Sequence, residues 1–140
     1  MSDLKQFIKT TIREFLNEHR VTIGEFTYVE LQNINDEKYK AKIDTGADTC
    51  SIHSTYQKEE NGILSYKLLN KSEIFKTNDF EKIDVKTSNG DSSYRYKVKL
   101  NLKIKDKKYK TNFTLNDRSY MTTPILLGKN LIKNKFIVKI

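Results

Sequence analysis

From Tyr94 to Ile104 the chain alternates without a break. Tyr94, Tyr96, Val98, Leu100, Leu102 and Ile104 fall on one side, and Arg95, Lys97, Lys99, Asn101, Lys103 and Lys105 on the other. A two-residue period over so long a run specifies a strand with one face in a core and a basic face in water. Asp106-Lys107-Lys108 can turn the chain, and Tyr109, Thr111, Phe113 and Leu115 then carry the alternation back on a return strand. Upstream, Ile83 and Val85 lead into Ser88-Asn89-Gly90-Asp91, where Asn-Gly suits the tip of a second hairpin. Shorter β-type runs are expected over 21–31 and 39–43. The polar stretch 55–80 is expected to be a turn-rich insertion with short strands near 63–69. After the lone Pro124 come Ile125-Leu126-Leu127, Gly128, a short helix over 129–134 and a last strand over 136–140. The chain is therefore expected to be mostly β.

The first 20 residues differ. Leu4, Phe7, Ile8, Ile12, Phe15 and Leu16 recur at helical spacing behind Ser2 or Asp3 as a cap, which predicts an added amphipathic helix. It would pack on its own domain or a dimer mate, or else dock on a partner or membrane surface. Residues 1–20 thus form an extension, and 21–140 the single domain expected of a 140-residue chain. Cys50 is the only cysteine, so an internal disulfide is impossible. The N-terminus has no signal-like apolar run, and no stretch approaches the roughly 20 apolar residues of a membrane span. A soluble cytoplasmic protein without a membrane partner is expected. The net charge of +8 favours anionic partners without choosing among them.

Residues 41–48 read AKIDTGAD. An acid after an apolar strand, followed by a hydroxyl and a glycine, suits a catalytic Asp44, with Gly46 permitting another backbone to approach closely. The alternative is an ordinary Asx-type turn with a solvated carboxylate. The order AKIDTGAD, a hairpin at Asn89-Gly90, then ILLGKNLI resembles the retropepsin-like aspartic proteases. Within them the chain looks most like the bacterial and phage family named ATP-dependent zinc proteases, over roughly 22–140. It departs from that family in carrying Asp48 and Lys129 where Arg is usual.

The resemblance implies a closed, barrel-like β domain with a flap hairpin and one short C-terminal helix, active as a homodimeric aspartic peptidase. Asp44, Thr45 and Gly46 would be catalytic, with the two Asp44 carboxyls titrating as a pair and Thr45 bracing the two loops. Ala47, Asp48, Asn89, Gly90 and Arg95 would bind substrate. Leu126, Leu127, Gly128 and Lys129 would support the loop from behind, with an Asp48 to Lys129 pair or merely surface charges there. Relatives of this class occur beside ligases that add glutamates to proteins, which suggests an acidic peptide or polyglutamate substrate.

The zinc name fits the sequence poorly, because a catalytic zinc wants about three protein ligands and the histidines are only His19 and His53, outside any H-E-x-x-H. No metal, and no cofactor of any kind, is expected; without a phosphate loop, neither is ATP. His53 reads as a hydrogen-bonded strand residue near the site, or a ligand or proton shuttle. Cys50 reads as a small buried apolar residue. The competing function is a non-catalytic binding module of the same fold, for an acidic protein or for nucleic acid, its phosphates tracked by Lys97, Lys99, Lys103 and Lys105. Because a lysine face more often simply blunts a sheet, nucleic acid is the unlikelier partner.

Overall fold

The computed structural model describes residues 3–6, 8, 20–32, 34, 37–86, 90 and 92–140, with only the backbone at 85, 86, 92 and 93. Of the expected N-terminal helix, residues 3–6 and 8 are helical and exposed; the rest lies outside the described residues, as does Asn89. Strand predominates among the described residues, so the mostly β expectation holds.

Twelve strands are described: β1 (Val21–Ile23), β2 (Phe26–Leu31), β3 (Lys38–Ile43), β4 (Cys50–His53), β5 (Gln57–Glu60), β6 (Ile63–Tyr66), β7 (Phe75–Thr77), β8 (Phe80–Lys86), β9 (Ser92–Ile104), β10 (Lys107–Asn116), β11 (Ile125–Leu127) and β12 (Phe136–Val138). One short helix, α1 (Lys129–Ile132), lies between the last two. Strands β10, β4, β11, β3, β2 and β9 pair in that order, and β9 pairs back to β10, closing a six-stranded barrel. Closure leaves those strands no free edge, and β8 adds to β9 outside the ring.

The alternation of β9 is realised as expected. Val98, Leu100, Leu102 and Ile104 are buried in the barrel, whereas Tyr94, at the far end of the same row, is 55% exposed. The row leaves the core because β10 pairs with β9 only as far as Tyr96, so residues 92–95 are partnered by β8 alone. The result is a hairpin standing clear of the barrel, with Gly90 near its tip at φ +82. The other turn falls one residue earlier than Asp106-Lys107-Lys108 suggests. Ile104 pairs with Lys107, and Lys105 and Asp106 make a two-residue turn, both in the left-handed region at φ 48 and 67. On β10 the alternation gives way to continuous burial at Phe113, Thr114 and Leu115, where β4 and β9 flank it.

The insertion is a separate three-stranded antiparallel sheet, β5-β6-β7. It meets the protruding hairpin at Glu59, whose carboxylate lies 3.4 Å from Lys82 Nζ and accepts the Tyr96 hydroxyl at 3.3 Å. β1 and β12 form a two-stranded parallel sheet.

Candidate functional site

β11 runs parallel to β3, with Leu127 opposite Ile43. The next residue on each strand, Gly128 and Asp44, must therefore emerge side by side at one end of the barrel. The Asp44 N–H donates to the Leu127 carbonyl at 3.0 Å, and one step further the Lys129 N–H donates to the Ala47 carbonyl at 2.7 Å. The loop from Asp44 to Thr49 is thus laid along the 127–129 backbone. A β-carbon on Gly128 would stand 2.7 Å from the Thr49 carbonyl carbon and oxygen and 2.8 Å from the Ala47 oxygen, closer than real β-carbons come. The backbone approach that the sequence suggested for Gly46 is made by Gly128. A β-carbon on Gly46 would meet only Asp44 Oδ1, at 3.3 Å.

Asp44 is half-buried; Thr45 and Gly46 are exposed. Asp44 Oδ1 accepts the Gly46 N–H at 2.9 Å and its carbonyl accepts the Ala47 N–H at 3.2 Å, so the loop is an Asx turn as well as a presented acid. The two sequence readings of D-T-G are not exclusive: the turn fixes the carboxylate, and the strand packing aims it. Leu127 is fully buried beneath the loop. Lys129 Nζ lies 3.7 Å from Asp48, with the two side chains 54% and 92% exposed, and an ion pair in that setting contributes little.

Asn130, one residue further on, was not singled out by the sequence. Its Oδ1 accepts the Cys50 N–H at 3.0 Å and the Cys50 thiol at 3.1 Å, while its Nδ2 donates to the Asn112 carbonyl and Thr111 Oγ1. One amide thereby ties the start of β4 to β10. Cys50 Sγ also accepts the Gly128 N–H at 3.3 Å. Burial pushes the thiol up to about 11, so Cys50 is a neutral structural group rather than a nucleophile.

Beside the loop opens a polar cleft of about 500 Å³, lined by Ala47, Asp48, Thr49 and Leu126 on one side and by Arg95, Thr114 and Arg118 on the other. Arg95, on the protruding hairpin, is among its lining residues. Arg118 was missed; it follows Asn116-Asp117 where β10 ends, and no local pattern marks it. Its Nε donates to the Thr123 carbonyl at 3.1 Å, and partial burial lowers its affinity for the proton. Gly90 is exposed. Among the described residues, no group of three or more His, Cys, Asp or Glu side chains is placed to hold a metal, and no helix is long and apolar enough to cross a membrane.

His53 is buried at the end of β4 behind the cleft, and its Nδ1 accepts the Arg118 N–H at 2.8 Å. That bond requires an unprotonated Nδ1, so the Asp117 carboxylate 3.8 Å away faces a neutral ring and is not in an ion pair.

The chain has 26% identity to probable alpha-L-glutamate ligases of Shewanella pealeana and Shewanella halifaxensis, over 88% of its own length and 29% of theirs. It spans less than a third of those curated relatives. A crystal structure of a Legionella pneumophila protein of unknown function superposes with a TM-score of 0.63 at 26% identity, covering 85% of this chain and 92% of that one. Residues 22–140 match the model of the RimB-like family, described as retropepsin-like aspartic endopeptidase RimB, and this description does not carry the zinc-protease name. With that match over nearly the whole β domain, the chain belongs to the RimB-like family of retropepsin-like aspartic endopeptidases.

Proposed function

We propose that two copies of this chain form one endopeptidase, with Asp44 and the partner's Asp44 as its catalytic pair, acting on acidic, glutamate-containing peptides. The observation that carries the reading is the half-site at the barrel end. Asp44 is held by the Leu127 carbonyl and the Gly46 N–H, while Thr45 and Gly46 beside it are exposed, leaving a surface for a second loop of the same kind.

Peptide hydrolysis by carboxyls needs an ionised acid to take a proton from water and a protonated one to donate to the scissile carbonyl. Two neighbouring carboxyls meet both demands, because ionising the second beside the first is costly. A single Asp44 supplies only one. The hairpin of β8 and β9 is suited to close over a bound peptide, carrying Arg95 with it. Among the described residues β12 is paired on one edge only, and Ile140 beyond it is 92% exposed, so this strand is a further candidate for contact between copies.

An acidic substrate is supported by the cleft, where Arg95 and Arg118 offer guanidinium groups that suit carboxylates. Of the two acids that line it, Asp117 is turned to the Ser119 N–H and hydroxyl, and Asp48 is an exposed carboxylate near Lys129. Relatives named as probable glutamate ligases agree with a glutamate-containing substrate. Against a nucleic-acid module, Lys99 is paired with Asp79 at 3.1 Å, Lys103 lies 3.9 Å from Asp106, and Lys105 donates to the Thr22 carbonyl.

The test is sedimentation at micromolar concentration together with cleavage of glutamate-rich and neutral peptides by wild type and Asp44→Asn. Dimers that cut the acidic peptide only when Asp44 is present support the reading. A strict monomer, or cleavage that survives the substitution, overturns it.

A further inference from the structure

Asp117, Arg118 and Met121 of the segment 117–124 line the cleft, and both ends of that segment are tied to one buried residue. The His53 ring accepts the Arg118 N–H at Nδ1, and the His53 main-chain N–H donates to the Pro124 carbonyl at 2.8 Å. Between those ties, Arg118 reaches back along the segment to the Thr123 carbonyl. The His53 carbonyl in turn accepts the Leu69 N–H at 2.8 Å, fixing the strand end itself. His53 does not itself line the cleft beside Asp44, but it is bonded directly to Arg118, which does, and so helps to set where Arg118 stands.

We propose that His53 is a positioning residue that holds Arg118 ready for a substrate carboxylate only while its imidazole is neutral. This rests on the peptidase reading above for the substrate, but not for the switch itself. A proton added at Nδ1 would set two N–H donors against each other at 2.8 Å, which abolishes the bond to Arg118. The same proton finds an acceptor in Asp117 Oδ1, 3.8 Å away on the same segment. Hydrogen bonds from the Ser119 hydroxyl and N–H hold the Asp117 carboxyl below its ordinary range, so it remains ionised as the pH falls. The other charged groups lining the adjoining pocket are Glu37 and Lys71, paired with each other at 2.9 Å, with the Tyr39 hydroxyl also on Glu37. That pair contributes little net charge, leaving Asp117 as the group that draws the protonated ring. Acidification therefore exchanges the Arg118 tie for an Asp117 tie and shifts the cleft wall.

Two arms test this. The first needs no substrate: amide hydrogen exchange of Arg118 in the full chain, followed by ¹⁵N NMR at about pH 7.5 and about pH 5.5. Protection of the Arg118 amide should fall about tenfold on acidification in wild type. In His53→Asn, where an amide oxygen can replace Nδ1 as acceptor and cannot titrate, it should stay constant. The second arm is KM for a glutamate-rich peptide, expected to rise about tenfold between those pH values in wild type and to stay flat in His53→Asn, with kcat following the same pH profile in both. His53→Leu should show the raised KM at both pH values. Unchanged Arg118 protection in wild type, or an equal fall in His53→Asn, overturns the inference, as does a KM whose pH dependence survives in His53→Asn. If wild type cleaves no peptide while the exchange arm behaves as expected, the His53 switch stands and the role given to Arg118 toward substrate is overturned with the peptidase reading.

Discussion

Gly128 and Thr49 touch through their backbones: there is no room at position 128 for a β-carbon, which would lie 2.7 Å from the Thr49 carbonyl. The contact joins the strand end that supports the Asp44 loop to the strand that leaves it. Its origin is register, since β11 is parallel to β3 at Leu127–Ile43 and antiparallel to β4 at Leu126–Ser51.

Gly128→Ala should therefore lose stability and activity together. Backbone on both sides of the new methyl group cannot rotate away as a side chain would, so the loop must move. Overpacking of this kind costs about 1–3 kcal/mol, readable as a lower urea midpoint. Gly46→Ala should separate the two properties: its methyl group would meet only Asp44 Oδ1 at 3.3 Å, so stability should change little while kcat falls as the carboxylate is displaced. Equal urea midpoints for Gly128→Ala and wild type would disprove the packing argument.

How much of this was readable in the sequence depended on distance along the chain. The β9 alternation, the Gly90 hairpin and the short helix after Gly128 are set by neighbouring residues and are all present, though the buried row excludes Tyr94 and the helix, Lys129–Ile132, ends two residues before the expected 134. The D-T-G loop and the second glycine could be paired only through a family resemblance, because their contact depends on a parallel register no local pattern encodes. Asn130, acting on Cys50, and Arg118, held by His53, lie outside any motif and meet partners distant in sequence. The turn at Lys105-Asp106 begins one residue earlier than expected because Lys105, unlike Asp106, is not a typical left-handed turn residue and no glycine marks the pair. Gly46 and Gly128 both stand out in the sequence, but that Gly128 is the one pressed against another backbone is set by the packing of β11 on the loop.

Asp44→Asn should preserve the fold and remove the activity. An amide oxygen can still accept the Gly46 N–H, and the main-chain bond to Leu127 is untouched, so the loop keeps its shape. In a dimer one substitution removes both carboxyls, each worth about 10²–10⁴-fold in rate as acid or base. Dimerisation should be preserved or strengthened, because repulsion between the two acids is relieved. Sedimentation and peptide cleavage on the same preparation check both halves, and a variant that folds, dimerises and still cleaves would place the chemistry elsewhere.

Asn130→Ala should destabilise the protein well beyond a typical surface change. The substitution leaves the Cys50 N–H, in a part-buried setting, without its partner, which costs about 1–3 kcal/mol, whereas water can take over the exposed bond to the Asn112 carbonyl. Asn130→Asp is informative beside it, because an ionised carboxylate still accepts from Cys50 but meets the Asn112 carbonyl oxygen with repulsion instead of a donor. It too should be destabilised, and relieved partly at acid pH as the carboxyl protonates. Thermal unfolding of both variants at two pH values would distinguish this network from an incidental contact.

Cys50 gives stability a specific alkaline limit. Burial raises the folded thiol from 9.0 to about 11, so the folded state holds its proton more tightly than the unfolded chain does. The sign follows from linkage: the contribution is fully present below pH 9, then shrinks as the unfolded thiol ionises and the folded one does not, until the folded value is passed. The loss by pH 11 is about 2 kcal/mol. Lysines and tyrosines titrate in the same range, so the measurement is a difference: urea unfolding of wild type and Cys50→Ala at pH 8 and near pH 10.5, with the steeper decline expected in wild type. The same burial predicts that the native thiol resists an aromatic disulfide reagent at pH 8 and reacts only as the protein unfolds. Rapid labelling of the folded protein at that pH would mean that Cys50 is neither as buried nor as firmly protonated as its contacts with Asn130 and Gly128 require.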